Sequence, residues 1–142
     1  MSDIHITRIT DYNEDQIHDL FSEIGEAASF YNPQFFEDNK NIFLLAETNS
    51  VACGFLYAYL LPSPKSSNSK IFLYSIDVFE KYRRTGVASK LIENLKVIAK
   101  ENNCKGVFVL TKLNNVAAMQ LYQKTGGIRE KDDVMFVYQL ND

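Results

Sequence analysis

Arg83, Arg84, Thr85, Gly86, Val87 and Ala88 stand where a run rich in β-branched and aromatic residues, Ile71 to Phe79, gives way to helical periodicity. That arrangement can hold a phosphate. The first N–H groups of a helix have no partner inside it. They project from its N-terminus, where the helix dipole favours an anion. Gly86 admits a ligand close to the backbone. Lys81, Arg83 and Arg84 add positive charge beside it. An ordinary strand–helix turn with solvated basic residues has the same composition. The spacing excludes two alternatives, because neither G-x-x-x-x-G-K-[ST] nor G-x-G-x-x-G is present.

Two further groups could do chemistry. Asp77 and Glu80 are carboxylates on or just after the strand that leads into the turn. Asp77 could act as a base or be a plain strand-end residue. Tyr122 falls late in a second helical stretch, whose apolar residues are Val116, Ala117, Met119 and Leu121. Asn115 stands at its start, where asparagine is a good cap. No cluster of histidine and cysteine has the spacing of a metal site, since His5, His18, Cys53 and Cys104 are scattered.

The elements that must position these residues follow from the rest of the pattern. Ile4 and Ile6 alternate with polar residues, as in a short strand. Ile17, Leu20, Phe21 and Ile24 keep helical spacing, with Gly25 as a stop. Glu26 to Asn32 reads as a further helical turn halted by Pro33. Asn41 to Glu47 and Val51 to Leu61 form two strands joined by Thr48-Asn49-Ser50. Gly54 inside the second marks a bulge or a close approach. Residues 62 to 69 are a loop by composition. Asn102-Asn103 ends the long helix, Gly106 to Leu110 is a strand, and Gly126-Gly127 ends the helix of Tyr122. Val134 to Leu140 reads as a final strand with Val134, Phe136 and Tyr138 on one face. The expected fold is α/β, with a mixed, largely antiparallel central sheet and helices on both faces.

Arg83-x-x-Gly86-x-Ala88 resembles the acyl-CoA signature [QR]-x-x-G-x-[GA] of the GNAT N-acetyltransferase superfamily. Asn115-x-x-Ala118-x-x-Leu121-Tyr122-x-x-x-Gly126 resembles that superfamily's second signature, N-x-x-A-x-x-L-Y-x-x-x-G. Many members carry an aromatic residue straight after that last glycine, where this chain has Gly127. The order and separation of the two motifs also match, and the resemblance spans nearly the whole chain, residues 1–142, as one domain. It implies an acetyl-CoA-dependent N-acetyltransferase acting on a primary amine. By resemblance, Tyr122 is the general acid for the leaving thiolate and Asp77 a candidate base. The backbone of Ile76 and Val78, the turn Arg83, Arg84, Thr85, Gly86, Val87 and Ala88, and Asn115 would hold the acetyl-CoA. Phe30, Tyr31, Phe35 and Phe36 would line an acceptor pocket or pack in the core.

Gly54 to Pro62, Gly127 to Glu130 and the arginine turn look most like the aminoglycoside 3-N-acetyltransferase branch. Positions acidic in that branch here read Lys112, Asn115, Val116 and Ser75, and the glutamate of the histone-modifying branch falls at Phe72. The resemblance implies a small-molecule amine as acceptor, an aminoglycoside among the options. A protein amine, or a non-catalytic acyl-CoA-binding module of the same fold, is the alternative.

Composition narrows the setting. The 142 residues suit one domain with a sizeable core, and 13% are aromatic. A net charge of −3 argues against general nucleic-acid binding. Two cysteines are too few for a disulfide framework, so a reducing, cytoplasmic compartment is expected. No charged n-region with an apolar h-region opens the chain, and no apolar run suits a membrane span. An exposed edge strand would allow a homodimer.

Overall fold

The computed structural model describes residues 3–141. One sheet carries β1 (Ile4–Arg8), β2 (Asn41–Thr48), β3 (Val51–Pro62), β4 (Ser69–Val78) and β5 (Cys104–Val109), in that spatial order. The first four strands pair antiparallel and β5 runs parallel to β4. Four helices accompany them: α1 (Glu14–Glu23), α2 (Pro33–Glu37), α3 (Val87–Glu101) and α4 (Val116–Lys124). None among the described residues is long and apolar enough to cross a membrane.

Alternation along the strands sorts the apolar residues into two layers. Leu44, Ala46, Leu56, Ala58, Ile71 and Leu73 face α3, which contributes Val87, Leu91, Ile92, Leu95 and Ala99. Phe43, Leu45, Phe55 and Phe79 face the other way, against Ile17 and Leu20 of α1 and the partly buried Phe35 and Phe36 of α2. The β2–β3 hairpin closes through Asn49 and Ser50, whose φ angles of 51° and 62° are those of a two-residue turn matched to strand twist.

Both expectations for Gly54 hold. The β2–β3 register shifts beside it, which leaves Cys53 as the extra residue of a bulge. A Cβ at Gly54 would lie 2.7 Å from the Asp77 carbonyl oxygen, so only glycine lets β3 and β4 approach here.

Two expectations fail. Pro33 starts a helix rather than stopping one. Its fixed φ and missing N–H suit the first helical position, and the Asn32 side chain caps the turn by accepting from the Gln34 N–H at 3.1 Å. Residues 26–32 have no helix before it. Residues 134–140 form no strand either, because nothing among the described residues pairs with them. The sheet therefore ends at β5.

Candidate active site

The site begins where β4 and β5 part. They pair from Ser69 to Leu73, and the last pair is Leu73 with Val109. Beyond it, β4 keeps β3 on one edge and has no strand on the other. A shift in the β3–β4 register at the same level leaves Tyr74 as an extra residue, which increases the local twist. The freed edge of β4, the basic turn and α4 enclose an open cleft of about 800 Å³. Ser75, Ile76, Asp77 and Val78 form one wall, Arg83 to Ala88 without Thr85 form the end, and Asn115 and Tyr122 form the other wall.

The turn leaves backbone N–H groups and positive charge open to the cleft. Gly86 caps α3 with a φ of +90° and no side chain, and the space around its Cα is open. The first internal bond of α3 reaches back from the Lys90 N–H to the Gly86 carbonyl, 3.0 Å away. The N–H groups of Val87, Ala88 and Ser89 precede it and have no side-chain cap. Arg83 Nε donates to the Val78 carbonyl at 3.2 Å and ties the turn to β4. Neither Arg83 nor Arg84 is in an ion pair among the described residues, so their charge is available. Thr85 is exposed and lies outside the cleft, and its hydroxyl donates to the Tyr82 carbonyl.

Tyr122 is held from both ends of α4. Asn115 caps the start, its side-chain oxygen accepting from the Ala118 N–H at 3.0 Å. At the far end the Gly126 N–H donates to the Gln123 carbonyl and the Gly127 N–H to that of Tyr122, the paired bonds of a Schellman turn. A Cβ at Gly127 would stand 2.8 Å from the Tyr122 carbonyl oxygen. The missing aromatic after the motif glycine thus has a steric reason in this chain. Tyr122 packs partly buried against the α3-side core. Burial, and then the charge of Asp77, push its hydroxyl pKa above the ordinary tyrosine value. The phenol therefore stays protonated at neutral pH.

Asp77 is on the opposite face of β4 from the α3 core, paired with Phe55 in register. Its carboxylate accepts a hydrogen bond from the Ser75 hydroxyl at 3.2 Å. From there an aromatic floor runs across three strands. Tyr57 stacks on Tyr74 at 5.5 Å, Tyr74 meets Phe72 at 5.6 Å, and Phe72 lies parallel to Phe108 at 4.9 Å. Sequence reasoning passed over this floor, although Tyr57/Tyr59 and Phe72/Tyr74 alternate as one face of a strand requires. Next to it Phe30, Tyr31, Phe35 and Phe36 line a cavity of about 330 Å³ together with Tyr57 and Tyr59. Phe35 and Phe36 also pack on the core, and Phe30 is 89% exposed. Burial raises the hydroxyl pKa of both Tyr57 and Tyr59.

A splayed strand pair has a glycine-capped basic turn on one wall and a protonated tyrosine on the other. The profile described as the acetyltransferase (GNAT) family matches residues 7–127. The chain belongs to that family. Human N-alpha-acetyltransferase 30 is 27% identical over 123 residues, which are 86% of this chain and 33% of the relative. The chain thus spans about a third of the length of this curated relative. An aminoglycoside acetyltransferase from an uncultured soil metagenomic sample shares the fold of this GNAT chain with a TM-score of 0.86 at 24% identity, over 98% of this chain and 99% of that one. An aminoglycoside N-acetyltransferase solved with CoA has a TM-score of 0.75 at 20% identity, over 96% of this chain and all of the other.

Proposed function

We propose that this GNAT chain transfers an acetyl group from acetyl-CoA to a primary amine whose carrier rests on the aromatic floor. One observation carries the reading: an anion-holding turn and a face of aromatic rings converge on the same gap, beside Asp77 and Tyr122. The N–H groups at the start of α3, with Arg83 and Arg84, hold the coenzyme's phosphates. Asn115 bounds the cleft, and its side-chain oxygen is committed to capping α4.

Bound acetyl-CoA supplies an acyl carbonyl and a thiolate leaving group. Backbone N–H groups on the freed edge of β4, around Ile76 and Val78, steady the carbonyl oxygen as charge grows on it. The amine nitrogen forms the new C–N bond while the C–S bond breaks. Tyr122 gives its hydroxyl proton to the departing sulfur. The proton lost by the amine passes to Asp77, directly or through water. Asp77 faces the acceptor side and is oriented by Ser75.

The acceptor side favours an apolar or aromatic amine. Five rings frame it beside Asp77, with Glu26 close enough to act on Tyr57, whereas a polycationic sugar needs more acids to match its charges. A peptide N-terminus with an apolar first side chain meets the same requirement. An aminoglycoside remains the second reading, favoured by the fold shared with such enzymes.

The test is thiol release from acetyl-CoA with a panel of amines: phenethylamine, a peptide with an apolar N-terminus, spermidine and sisomicin. The first two should turn over fastest. Faster turnover of sisomicin would replace the apolar reading with the aminoglycoside one. If acetyl-CoA raises the melting temperature but no amine speeds thiol release, the chain is a binding module and the catalytic reading fails.

A further inference from the structure

The connection between α1 and α2, residues 24–32, forms one wall of the aromatic cavity and has little backbone to hold it. Gly25 and Glu26 close the end of α1 on the carbonyls of Ser22 and Phe21. Beyond them, residues 27–31 take part in no backbone–backbone hydrogen bond among the described residues. Yet Phe30 and Tyr31 line the cavity beside Ile17, Phe21 and Tyr57. A loop without backbone bonds samples many positions unless side chains pin it.

The Tyr31 side chain supplies the pin. Its hydroxyl oxygen accepts from the Ala28 N–H at 2.9 Å, so the ring folds back on its own loop. The same oxygen lies 3.1 Å from Nδ1 of His18 on α1. A hydroxyl that already accepts from an amide keeps its proton for a second partner, and Nδ1 is that partner. The His18 and Tyr31 rings meet edge to face at 5.9 Å, and Tyr31 stacks on Phe21 at 5.9 Å. Phe21 in turn meets Phe55 and Tyr57, at 5.1 and 6.4 Å between ring centroids. His18 lines neither this cavity nor the cleft of the basic turn. Its hold on Tyr31 is passed through Phe21 to the first ring of the aromatic floor.

We propose that His18 is a positioning residue for the acceptor amine. Through Nδ1 it holds the Tyr31 hydroxyl, and through Tyr31 it holds the cavity wall where the acceptor's carrier meets it. The inference rests on the acceptor lying on the aromatic floor. Without the bond to His18, the loop leaves that position part of the time. Acceptor affinity then falls in proportion to the fraction of chains still in place. The chemical step is untouched, because Asp77 and Tyr122 stand on β4 and α4. A histidine that only packs on Tyr31 would act through its ring surface, and an apolar side chain could replace it. A histidine that positions Tyr31 needs a polar atom at Nδ1.

Steady-state kinetics with phenethylamine, and its dissociation constant from a chemical-shift titration in the presence of CoA, separate the two. His18→Leu keeps an apolar side chain of good helix propensity and loses the ring nitrogen. It should raise the phenethylamine KM and Kd roughly 5- to 10-fold, with kcat, the acetyl-CoA KM and the melting temperature close to the parent's. His18→Asn sets an amide near the Nδ1 position and should restore most of the affinity. Tyr31→Phe should weaken binding at least as much as His18→Leu, and adding His18→Leu to it should cost nothing further. Equal affinities in the parent and His18→Leu overturn the inference. So does a loss that His18→Asn fails to rescue, or a fall in kcat at constant KM. If phenethylamine binds but no amine of the panel releases thiol, the catalytic reading fails, and the Kd series still decides for or against His18. If phenethylamine is neither bound nor acetylated, the acceptor side lies elsewhere and the inference falls with it.

Discussion

The two halves of the sheet have opposite characters. Along β2 and the first half of β3 both faces are covered, by α1 and α2 on one side and α3 on the other, and Leu44, Phe55, Leu56 and Ala58 are buried. From β4 to β5 the sheet opens. Its strands part after Leu73, α4 buries no residue fully, and Phe108 and Tyr74 reach solvent. Stability is concentrated in the first half and ligand-accessible surface in the second. A cleft between strands needs a rigid frame on one side, because unpaired backbone at the splay gains nothing until substrate arrives. The open half also holds what the chain leaves uncovered, the β5 edge and the apolar run at 134–140.

Substitutions in the two halves should separate stability from activity. The largest effect belongs to Phe55→Ala, which leaves a cavity among Phe21, Phe43 and Phe79 and should remove about 3–5 kcal/mol, read from urea unfolding. Tyr74→Ala on the open half should cost under about 1 kcal/mol. Equal losses would erase the contrast between the halves.

Next in size is Tyr122→Phe. It should lower kcat roughly 10²- to 10³-fold with acetyl-CoA affinity unchanged. The sign of its pH dependence follows from burial. A phenol pKa raised in the folded state keeps the proton at working pH, so the Tyr122 alkaline limb appears only above pH about 10. Below that, kcat/KM should climb with pH as the acceptor amine becomes neutral. A limb near neutrality that vanishes in Tyr122→Phe would contradict this assignment.

Gly86→Ala comes third. The +90° φ at Gly86 lies where a side chain costs about 1–2 kcal/mol, so the variant should melt earlier and bind acetyl-CoA more weakly. The smallest effect is that of Arg83→Ala or Arg84→Ala. Each should raise the acetyl-CoA KM roughly 3- to 10-fold, and the gap should narrow as salt screens the exposed charges. A salt-independent KM would move the phosphates away from the turn.

Much of the frame was legible from local signals. The hairpin at Asn49-Ser50, the cap at Asn115, the stops at Gly25, Asn102-Asn103 and Gly126, and the strand–turn–helix around Gly86 all arise from backbone preferences of single residues or short patterns. Pro33 was misread because proline both breaks helices and starts them. The asparagine before it, whose side chain supplies the cap, is what selects the second role.

Sequence by itself determined the two motifs, the apolar periodicities and the turn chemistry, since each depends on neighbours within a few residues. Tertiary structure decided the rest. Whether Asp77 joins the aromatic face or the α3 face depends on the side of β4 it takes after the bulge. The aromatic floor exists only because β3, β4 and β5 bring Tyr57, Tyr74, Phe72 and Phe108 into one row. The apolar run at 134–140 has strand composition, but a strand is a relation between two segments. No described segment of its own chain pairs with it, and composition alone cannot report that.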